Sequence, residues 1–367
     1  MDDCSRQLRI GMLAPVSWPV PPESYGPWEQ VVSNLTEALV GRGHDVTLFA
    51  APGSKTSARL VETVAHPFSL WPEDELRRPA RFDPGSGLLD GPPNFRALEQ
   101  QHISICMEAA HSDDFDIVHS HLHVHALVFS RLLPCPMVTT LHGSAWVQAD
   151  HPILDRFRDQ PFVSISESER SFKPDLNYVA TVYNGIDIDT YKFCELKEEY
   201  LLFSGRLAPE KGVAEAVEIA IRSGMPLKIA GMIEEKHREY FETTVQPHLA
   251  DGSVEFVGLL SQKDLVALYQ RAKGLLCPTL WAEPFGLVAV EAQACGTPVL
   301  GSRRGATIEI VQEDKTGFLF DDVDEAVRLV QRLDEIDPST CRENVEQRFT
   351  SAVMADAYEK VYGLILK

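Results

Sequence analysis

The chain has 367 residues, 44% of them hydrophobic, which is enough for two domains of ordinary size, each with its own core. Its 34 Lys and Arg residues against 54 Asp and Glu residues give a net charge of −20, spread over both halves, which argues against nonspecific nucleic-acid binding and broad attraction to an anionic membrane. Seven cysteines without a C-x-x-C pair, an N-terminus without a signal-peptide pattern and the lack of a membrane-length apolar run predict a soluble, cytoplasmic protein without disulfides.

The first half of the chain alternates strands with helices. A buried strand at 8–15 and a second strand at 45–50 flank a helix that begins at Pro27, a residue suited to the first helical position. Apolar residues recur along this helix at the i, i+3, i+4 and i+7 spacing of a single face. Further strands are predicted at 116–120, 136–141, 162–166 and 179–183, and further helices at 94–111, 122–133 and 151–158.

The same alternation restarts at residue 200. Strands are predicted at 200–204, 226–230, 254–257, 274–277 and 298–301, and helices at 210–223, 233–249, 262–272, 287–294, 305–312, 322–336 and 340–366. Strands that alternate with helices form parallel sheets, and a restart implies a second one. We therefore predict two Rossmann-like doubly wound α/β domains, at 1–190 and 191–345, with a hinge near 184–199. The C-terminal residues, 346–367, complete the chain as a helix.

One stretch interrupts this alternation. Residues 67–93 carry nine prolines or glycines and no clear periodicity, and such long irregular segments are often functional. Within it, Leu76 to Phe82 contains three arginines and is the best candidate for a local basic patch. The segment is interpreted as part of an acceptor site or as a mobile loop. The patch is interpreted as a solvated loop or as a contact with a membrane or an acceptor.

Two carboxylates stand eight residues apart around a predicted helix start. Glu283 comes before Pro284 and Gly286, which suit a loop, and helical spacing begins at Leu287 and includes Glu291. The free N–H groups and positive dipole end of this helix favour a phosphate. At about 1.5 Å per residue, the two carboxylates are separated by at most roughly 12 Å, which spans a diphosphate. One is then available for sugar hydroxyls and the other for a ribose diol.

Two cations stand five residues apart after the strand at 200–204. Arg206 and Lys211 lie near the start of the following helix, where positive charge is electrostatically misplaced unless it meets an anion. The carboxyl edge of an open α/β sheet is also where ligands bind. The pair therefore favours a diphosphate site over two solvated surface charges.

The stretches Gly205-Arg206-Leu207-Ala208-Pro209-Glu210-Lys211-Gly212 and Trp281-Ala282-Glu283-Pro284-Phe285-Gly286-Leu287 resemble the signature of family 4 retaining glycosyltransferases. The resemblance implies the GT-B fold, in which two Rossmann-like domains face each other across a cleft. It also implies transfer of a hexose from a nucleotide sugar, with a C-terminal helix that crosses back to the N-terminal domain. UDP-glucose is the first donor expected and GDP-mannose the competitor, with a sugar, lipid-linked or polysaccharide-precursor acceptor.

The resemblance also implies roles for individual residues. Glu283 and His121 are expected at the reaction centre, and His142 and Gly143 on the acceptor side. The donor is expected to contact Arg206, Lys211, Glu291, Phe285, Gly286, Leu287, Gly26, Gly231 and Leu260. Relatives often carry a Gly-Gly doublet at Gly26, whereas this chain has Pro27, which lacks a backbone donor.

His119, His121, His123 and His125 alternate along the chain. Four histidines at period two could line one strand face and bind zinc, although neither a Cys nor a carboxylate completes the set. A core or capping histidine is the other reading from the residues alone. No Asp-x-Asp motif stands at a strand end to hold a divalent ion, so we expect neither a metal nor another cofactor.

Several residues keep simpler readings. Asn184 and Asp187 suit a tight turn as well as a ligand contact, and Arg303, Arg304 and Glu309 suit solvated charge as well as the phosphate side. Other functions weighed are a sugar-nucleotide epimerase, a noncatalytic nucleotide-sugar-binding subunit and a dehydrogenase. The last is disfavoured because neither first strand is followed by G-x-G-x-x-G.

Overall fold

The computed structural model describes residues 6–71, 74, 81–83, 88–90, 93–250 and 252–367. They form two compact units. The first comprises the described residues up to Val163, together with Asp175–Ala180 and Ala357–Lys367, and the second comprises Ser164–Pro174 and Thr181–Asp356. Most of the basic patch predicted within 76–82, and most of the irregular segment around it, lie outside the described residues.

The first unit is built on a seven-stranded sheet. Its strands are β1 (Arg9–Leu13), β2 (Asp45–Ala50), β3 (Arg59–Glu62), β6 (Ile117–Ser120), β7 (Met137–Thr140), β8 (Phe162–Ser164) and β9 (Tyr178–Thr181), while β4 (Arg81–Asp83) and β5 (Leu88–Asp90) form a separate antiparallel pair. The strand order in the sheet is β3-β2-β1-β6-β7-β8-β9. The pairings from β3 through β8 are parallel, and β1 lies between β2 and β6. The strand order therefore reverses between β1 and β6.

Helices cover the chain between these strands. Their bounds are Pro27–Gly41, Phe95–Ser112, His123–Leu127, His151–Arg156 and Glu167–Ser171, with the last of these in the second unit. The core beneath them is aliphatic and aromatic, and includes Leu13, Phe49 and Phe162, each fully buried.

The second unit is built on a six-stranded sheet in the order β12-β11-β10-β13-β14-β15, with every neighbouring pair parallel. Its strands are β10 (Leu201–Ser204), β11 (Leu227–Ala230), β12 (Val254–Gly258), β13 (Gly274–Cys277), β14 (Val299–Ser302) and β15 (Gly317–Phe320). Its helices are Val213–Ser223, Arg238–Thr244, Gln262–Arg271, Leu287–Ala294, Thr307–Ile310, Val323–Val330 and Pro338–Arg348. Here the order reverses between β10 and β13. The prediction of two doubly wound α/β domains is confirmed.

The C-terminal region differs from the single helix predicted at 340–366. Two helices, Pro338–Arg348 and Ser351–Ile365, are separated at Phe349 and Thr350. Here the backbone pairs with Ile186, whose N–H donates to Phe349 O at 2.8 Å and whose carbonyl accepts from Ser351 N at 2.9 Å. These bonds replace helical ones and end the first helix.

The limits of the units also differ from the predicted domain limits at 190 and 345. The segment 181–190 clusters with the second unit, because Ile186 pairs with its residues 349–351. The segment 164–174 does so as well, and the Ser166 hydroxyl donates to Pro284 O at 2.6 Å. Residues Ala357–Lys367 cluster with the first unit although they continue the helix that begins at Ser351.

Candidate active site

The second unit brings both recognised motifs to the ends of its two central strands. β10 ends at Ser204 and is followed by Gly205 and Arg206, and the segment that follows β13 leads to Glu283. These adjacent parallel strands flank the point where the strand order reverses, and such switch points are where open α/β sheets bind ligands.

Glu283 is held by two donors on the same oxygen. Its Oε2 accepts from Lys211 Nζ at 2.6 Å and from Trp281 Nε1 at 3.0 Å. The Lys211 ammonium also lies 5.3 Å from the centre of the Trp281 ring, in cation–π geometry. Neither of these hydrogen bonds uses Oε1. The carboxylate is therefore fixed in direction, and the role of Trp281 in fixing it was not predicted from the sequence.

The backbone of Glu283 is fixed as well. Its carbonyl accepts from Ala306 N at 2.9 Å, and Gly305 approaches so closely that a Cβ there would lie 2.3 Å from Glu283 N. Gly305 also has φ 59, in the left-handed region that favours glycine. The turn at Gly305 and Ala306 thus supports the residue that the motif predicts at the reaction centre.

Arg206 is held by acidic neighbours. Its guanidinium donates to Glu234 at 2.9 Å and to Glu210 at 3.2 Å. Gly231 contributes by its lack of a side chain, because a Cβ there would lie 1.8 Å from Gly205 O. The loops after β10 and β11 therefore touch through their backbones, which places Gly231 beside Arg206.

The helix Leu287–Ala294 begins where the sequence predicts, with Gly286 preceding it at φ 104. Phe285 is 4% exposed and belongs to the core, and Leu287 packs against that core. The first-turn N–H groups of a helix have no acceptor within it, and its dipole is positive at this end. The helix therefore presents donors close to Glu283.

Glu291 lies in this helix and accepts hydrogen bonds from two tyrosines. Tyr191 Oη donates to Oε1 at 2.9 Å and Tyr269 Oη donates to Oε2 at 3.0 Å. Burial raises the pKa of the Glu291 carboxyl, and these two hydrogen bonds oppose the shift. The same burial, together with the nearby Glu291 charge, raises the pKa of both tyrosines well above the ordinary value. The tyrosines stand far from Glu291 in sequence and carry no motif, so neither was predicted.

In the first unit, histidines follow β6 and β7 beside the corresponding switch point. His121 Nδ1 lies 2.9 Å from His142 Nε2, so one ring donates to the other. Both are fully or nearly fully buried, which lowers the pKa of each well below the ordinary value, reinforced by the neighbouring imidazoles. His119 stacks on His121 at 4.3 Å between ring centres and bonds Tyr362 Oη at 2.8 Å and Thr140 Oγ1 at 2.7 Å. His121 and His142, the two histidines predicted as site residues, are thus neutral and in contact.

The alternating histidines do not share one strand face. β6 ends at Ser120, and His123 opens the helix His123–Leu127 at φ 50. His125 faces away and pairs with Glu99 at 2.6 Å. Across the part of the chain that the structure describes, no group of three His, Cys, Asp or Glu side chains is arranged to hold a metal ion.

The turn before the first helix places Gly26 at φ 151, where a Cβ would lie 2.8 Å from Pro22 Cβ. Glu29 in the first turn is 3% exposed and accepts from Trp18 N at 3.1 Å. Burial raises the pKa of this carboxyl to about 7, although backbone hydrogen bonds lower it. The loop between β1 and the helix is therefore anchored by a buried acid.

The remaining predicted positions are placed individually. Gly143 has φ 116 and precedes the turn Ser144–Trp146, and Leu260 packs on the core of the second unit. Asn184 is buried, whereas Asp187 accepts from Asp189 N and Thr190 Oγ1, so a turn explains it.

Glu309, Arg303 and Arg304 are engaged in structural contacts. Glu309 accepts from Glu167 N and Ser168 N at 2.9 and 2.8 Å, at the start of the helix Glu167–Ser171. Arg303 pairs with Glu313 through two bonds of 3.0 Å, and Arg304 donates to Leu280 O at 2.8 Å.

Solved structures share this architecture of two parallel-sheet units. Sucrose-phosphate synthase from Thermosynechococcus elongatus superposes with a TM-score of 0.75 at 20% identity, covering 98% of this chain and 99% of its own. Anabaena HepE, solved in complex with UDP and glucose, gives 0.70 at 18% identity, covering 98% and 100%. At these identities the likeness shows the fold.

Sequence comparisons identify the family. The model for Glycosyltransferase Family 4 matches residues 28–190, and that for Glycosyl transferases group 1 matches residues 191–348. The chain is 30% identical over 345 residues to a glycogen synthase of Mycobacterium tuberculosis, covering 82% of this chain and 80% of the relative. It is 26% identical to a D-inositol 3-phosphate glycosyltransferase of Corynebacterium diphtheriae, covering 97% and 94%. The protein belongs to glycosyltransferase family 4 and is a glycosyltransferase.

Among the described residues, no helix has both the length and the apolar character needed to span a bilayer.

Proposed function

We propose that the protein is a metal-independent, retaining glycosyltransferase that moves a hexose, in the first instance glucose, from a UDP-sugar to a carbohydrate or glycolipid acceptor. The observation that carries this proposal is the fixed carboxylate of Glu283, held by Lys211 and Trp281 close to the start of the helix Leu287–Ala294. A positioned acceptor of hydrogen bonds, a cation and a helix N-terminus are the groups that a sugar diphosphate requires.

In this proposal the second unit binds the nucleotide diphosphate. Lys211 carries three donors, so it can bond a phosphate oxygen while it still holds Glu283. Arg206 and the first-turn N–H groups after Gly286 add positive charge, and together they neutralise the leaving diphosphate as the glycosidic bond breaks. Glu291, whose hydroxyl partners already fix its direction, accepts from the ribose diol.

The proposed chemistry needs no divalent ion, because two cations and a helix terminus supply the positive charge that such an ion would bring.

Transfer is proposed to retain the anomeric configuration. Glu283 orients the sugar hydroxyls, and His121 lies beside the transferred sugar and stabilises charge near its anomeric carbon. The acceptor hydroxyl attacks the face that the diphosphate leaves, its oxygen bonds the anomeric carbon, and its proton passes to the departing phosphate. His142 and the backbone of Gly143 bind the acceptor.

The choice of donor rests on the relatives. HepE was solved with UDP and glucose, and the Mycobacterium tuberculosis relative is named a glycogen synthase. UDP-glucose and a role in polysaccharide biosynthesis are therefore the first proposal for this chain. GDP-mannose with a mannosyl product is the second candidate, and a noncatalytic nucleotide-sugar-binding subunit is the third.

Turnover decides among these candidates. The purified protein is incubated in EDTA with UDP-glucose or GDP-mannose and with maltotriose or a glycolipid acceptor, and NMR reads the anomer of the product. We expect release of UDP with an α-linked glucosyl product. Selective consumption of GDP-mannose would move the donor, and nucleotide-sugar binding without turnover on any acceptor would favour the subunit.

A further inference from the structure

Among the described residues of the first unit, three buried imidazole nitrogens have no hydrogen-bond partner. They are His121 Nε2, His123 Nε2 and His142 Nδ1. Their rings are neighbours, with centres 5.2 Å apart for His121 and His142 and 6.1 Å apart for His123 and His142. A buried polar nitrogen without a partner costs free energy, so three in one cluster indicate a ligand that supplies the partners.

The hydrogen bond between His121 and His142 determines what this ligand can be. In a neutral pair, the ring that donates has its proton on the bonded nitrogen, which leaves its other nitrogen a bare acceptor. The ring that accepts must carry its proton on its other nitrogen, which is then a donor. Whichever way the proton lies, the pair presents one donor and one acceptor, and a hydroxyl-bearing ligand satisfies both.

The cluster is also uncharged. Burial, with the neighbouring imidazoles, lowers the pKa of His119 to about 3 and that of His123 to about 4, and those of His121 and His142 fall well below the ordinary value. At neutral pH the four rings therefore provide no positive charge for a phosphate or a carboxylate.

Trp28 packs against this cluster. Its ring lies 4.6 Å from His123 and 6.0 Å from His142, stacked on the latter at 28°. The Trp28 side chain is nevertheless 41% exposed, although it belongs to a helix whose other apolar residues Val31, Val32 and Leu35 are buried. An exposed indole packed on imidazoles is suited to the apolar face of a ring-shaped ligand.

We propose that Trp28 and His123, with His121 and His142, form an acceptor subsite that selects an uncharged pyranose ring. Trp28 lies against the face of the ring, and the free imidazole nitrogens bond its hydroxyls. The subsite rests on the proposed function in placing the acceptor at this cluster, and adds to it two specificity-determining residues and an acceptor class, neutral rather than phosphorylated or carboxylated.

Binding to the UDP-saturated full-length protein tests the subsite without requiring turnover. Maltotriose is titrated against the wild type and against W28L, W28F and H123Q, with saturation-transfer NMR as the readout and glucose 6-phosphate as competitor. We expect W28L to weaken maltotriose binding about tenfold, and W28F, which keeps an aromatic face, to weaken it less than threefold. H123Q keeps a polar group near the Nε2 position and is expected to fall between them.

Phe172 offers a matched control, because it is 40% exposed and lies in the second unit, so F172L makes the same kind of change elsewhere. Two results would overturn the subsite. One is maltotriose affinity in W28L within twofold of the wild-type value. The other is displacement of maltotriose by glucose 6-phosphate at a concentration lower than that of maltotriose. Binding that depends on Trp28 in a protein that never consumes UDP-glucose would support the subsite while contradicting the proposed function. Normal turnover with an unchanged acceptor KM in W28L would support the proposed function while contradicting the subsite.

Discussion

Replacing Trp281 by Phe removes a single hydrogen bond from Glu283 while it keeps an aromatic ring beside Lys211. The indole N–H donates to Glu283 Oε2 at 3.0 Å, and Lys211 donates to the same oxygen at 2.6 Å. A hydrogen bond to a charged group contributes about 1.5–3 kcal/mol, which corresponds to about a 10- to 150-fold change in rate if all of it acts in the transition state. Because Lys211 remains, we expect kcat to fall about tenfold, at the low end of this range.

The assay is UDP release from UDP-glucose in the presence of maltotriose, with UDP affinity measured separately by calorimetry. Since Trp281 acts through Glu283, the donor KM and the UDP affinity should change less than threefold. Trp146 is 43% exposed and belongs to the first unit, so W146F is a control for a Trp-to-Phe change in the unit that does not contain Glu283.

A double-mutant cycle with K211A sharpens the test. Both donors act on one oxygen, so their effects are expected to be non-additive. A kcat for W281F within twofold of wild type, at unchanged melting temperature, would refute the positioning role of Trp281.

Substitutions in both units give four more expected outcomes. E283A and H121A should lower kcat more than UDP affinity, whereas K211A and E291A should weaken UDP-sugar binding in calorimetry; an unchanged kcat in H121A would remove that residue from the reaction centre. Y269F removes a hydrogen bond that lowers the pKa of Glu291. As the pH falls, Y269F should therefore lose UDP affinity at a higher pH than the wild type does. Identical profiles of UDP affinity between pH 5 and 8 would contradict this. G305A puts a Cβ 2.3 Å from Glu283 N at φ 59. G224A is the matched control, because φ is 73 there and no atom lies within 4 Å of the added Cβ. G305A should lower stability by more than about 1 kcal/mol beyond the loss in G224A, which is roughly 2–4 °C in melting temperature. Glu29 binds its proton more tightly in the folded protein, with a pKa of about 7 against 4.5, so its contribution to the free energy of unfolding falls as the pH rises through this range. In denaturant titrations, the wild type should lose about 3 kcal/mol of stability relative to E29Q between pH 4.5 and pH 8. A stability difference that stays constant with pH would show that Glu29 is not buried as an acid.

Local patterns in the sequence predict the parts of the fold that depend on nearby residues. Pro284 and Gly286 precede a run with helical spacing, and the helix Leu287–Ala294 begins at that point. The restart of the strand–helix alternation at residue 200 predicts the second sheet, and β10 is its first strand. Both follow from backbone constraints that act within a few residues.

Contacts between distant residues could not be predicted in this way. The break between the last two helices depends on pairing with Ile186, more than 160 residues earlier, and no local residue signals it. Likewise, Tyr191 meets Glu291 across 100 residues of sequence. The period-two spacing of the histidines does not place them on one strand face, because β6 ends at Ser120 and the chain turns before His123.

The same distinction, between local sequence patterns and contacts made by folding, applies to the residues of the candidate site. Arg206, Lys211, Glu283 and Glu291 belong to spaced motifs and could be singled out from the sequence. Trp281 stands inside one of those motifs, but its hydrogen bond to Glu283 depends on a side-chain direction that the sequence does not encode. The close approach of Gly305 to Glu283 depends on how two loops pack. Nothing in the sequence distinguishes Gly305 from the other glycines, so this contact could not be predicted.

The proposed function requires that the second unit bind a UDP-sugar without a metal ion. A thermal-shift panel of UDP, GDP, ADP, UDP-glucose, UDP-galactose and GDP-mannose, with and without EDTA, tests this requirement. A ligand at a hundred times its Kd stabilises by about 2.7 kcal/mol, which is a rise of roughly 5–11 °C for a domain of about 150–250 residues. We predict a rise of this size with the uridine nucleotides that persists in EDTA. A rise confined to guanosine nucleotides, or one abolished by EDTA, would contradict the claim.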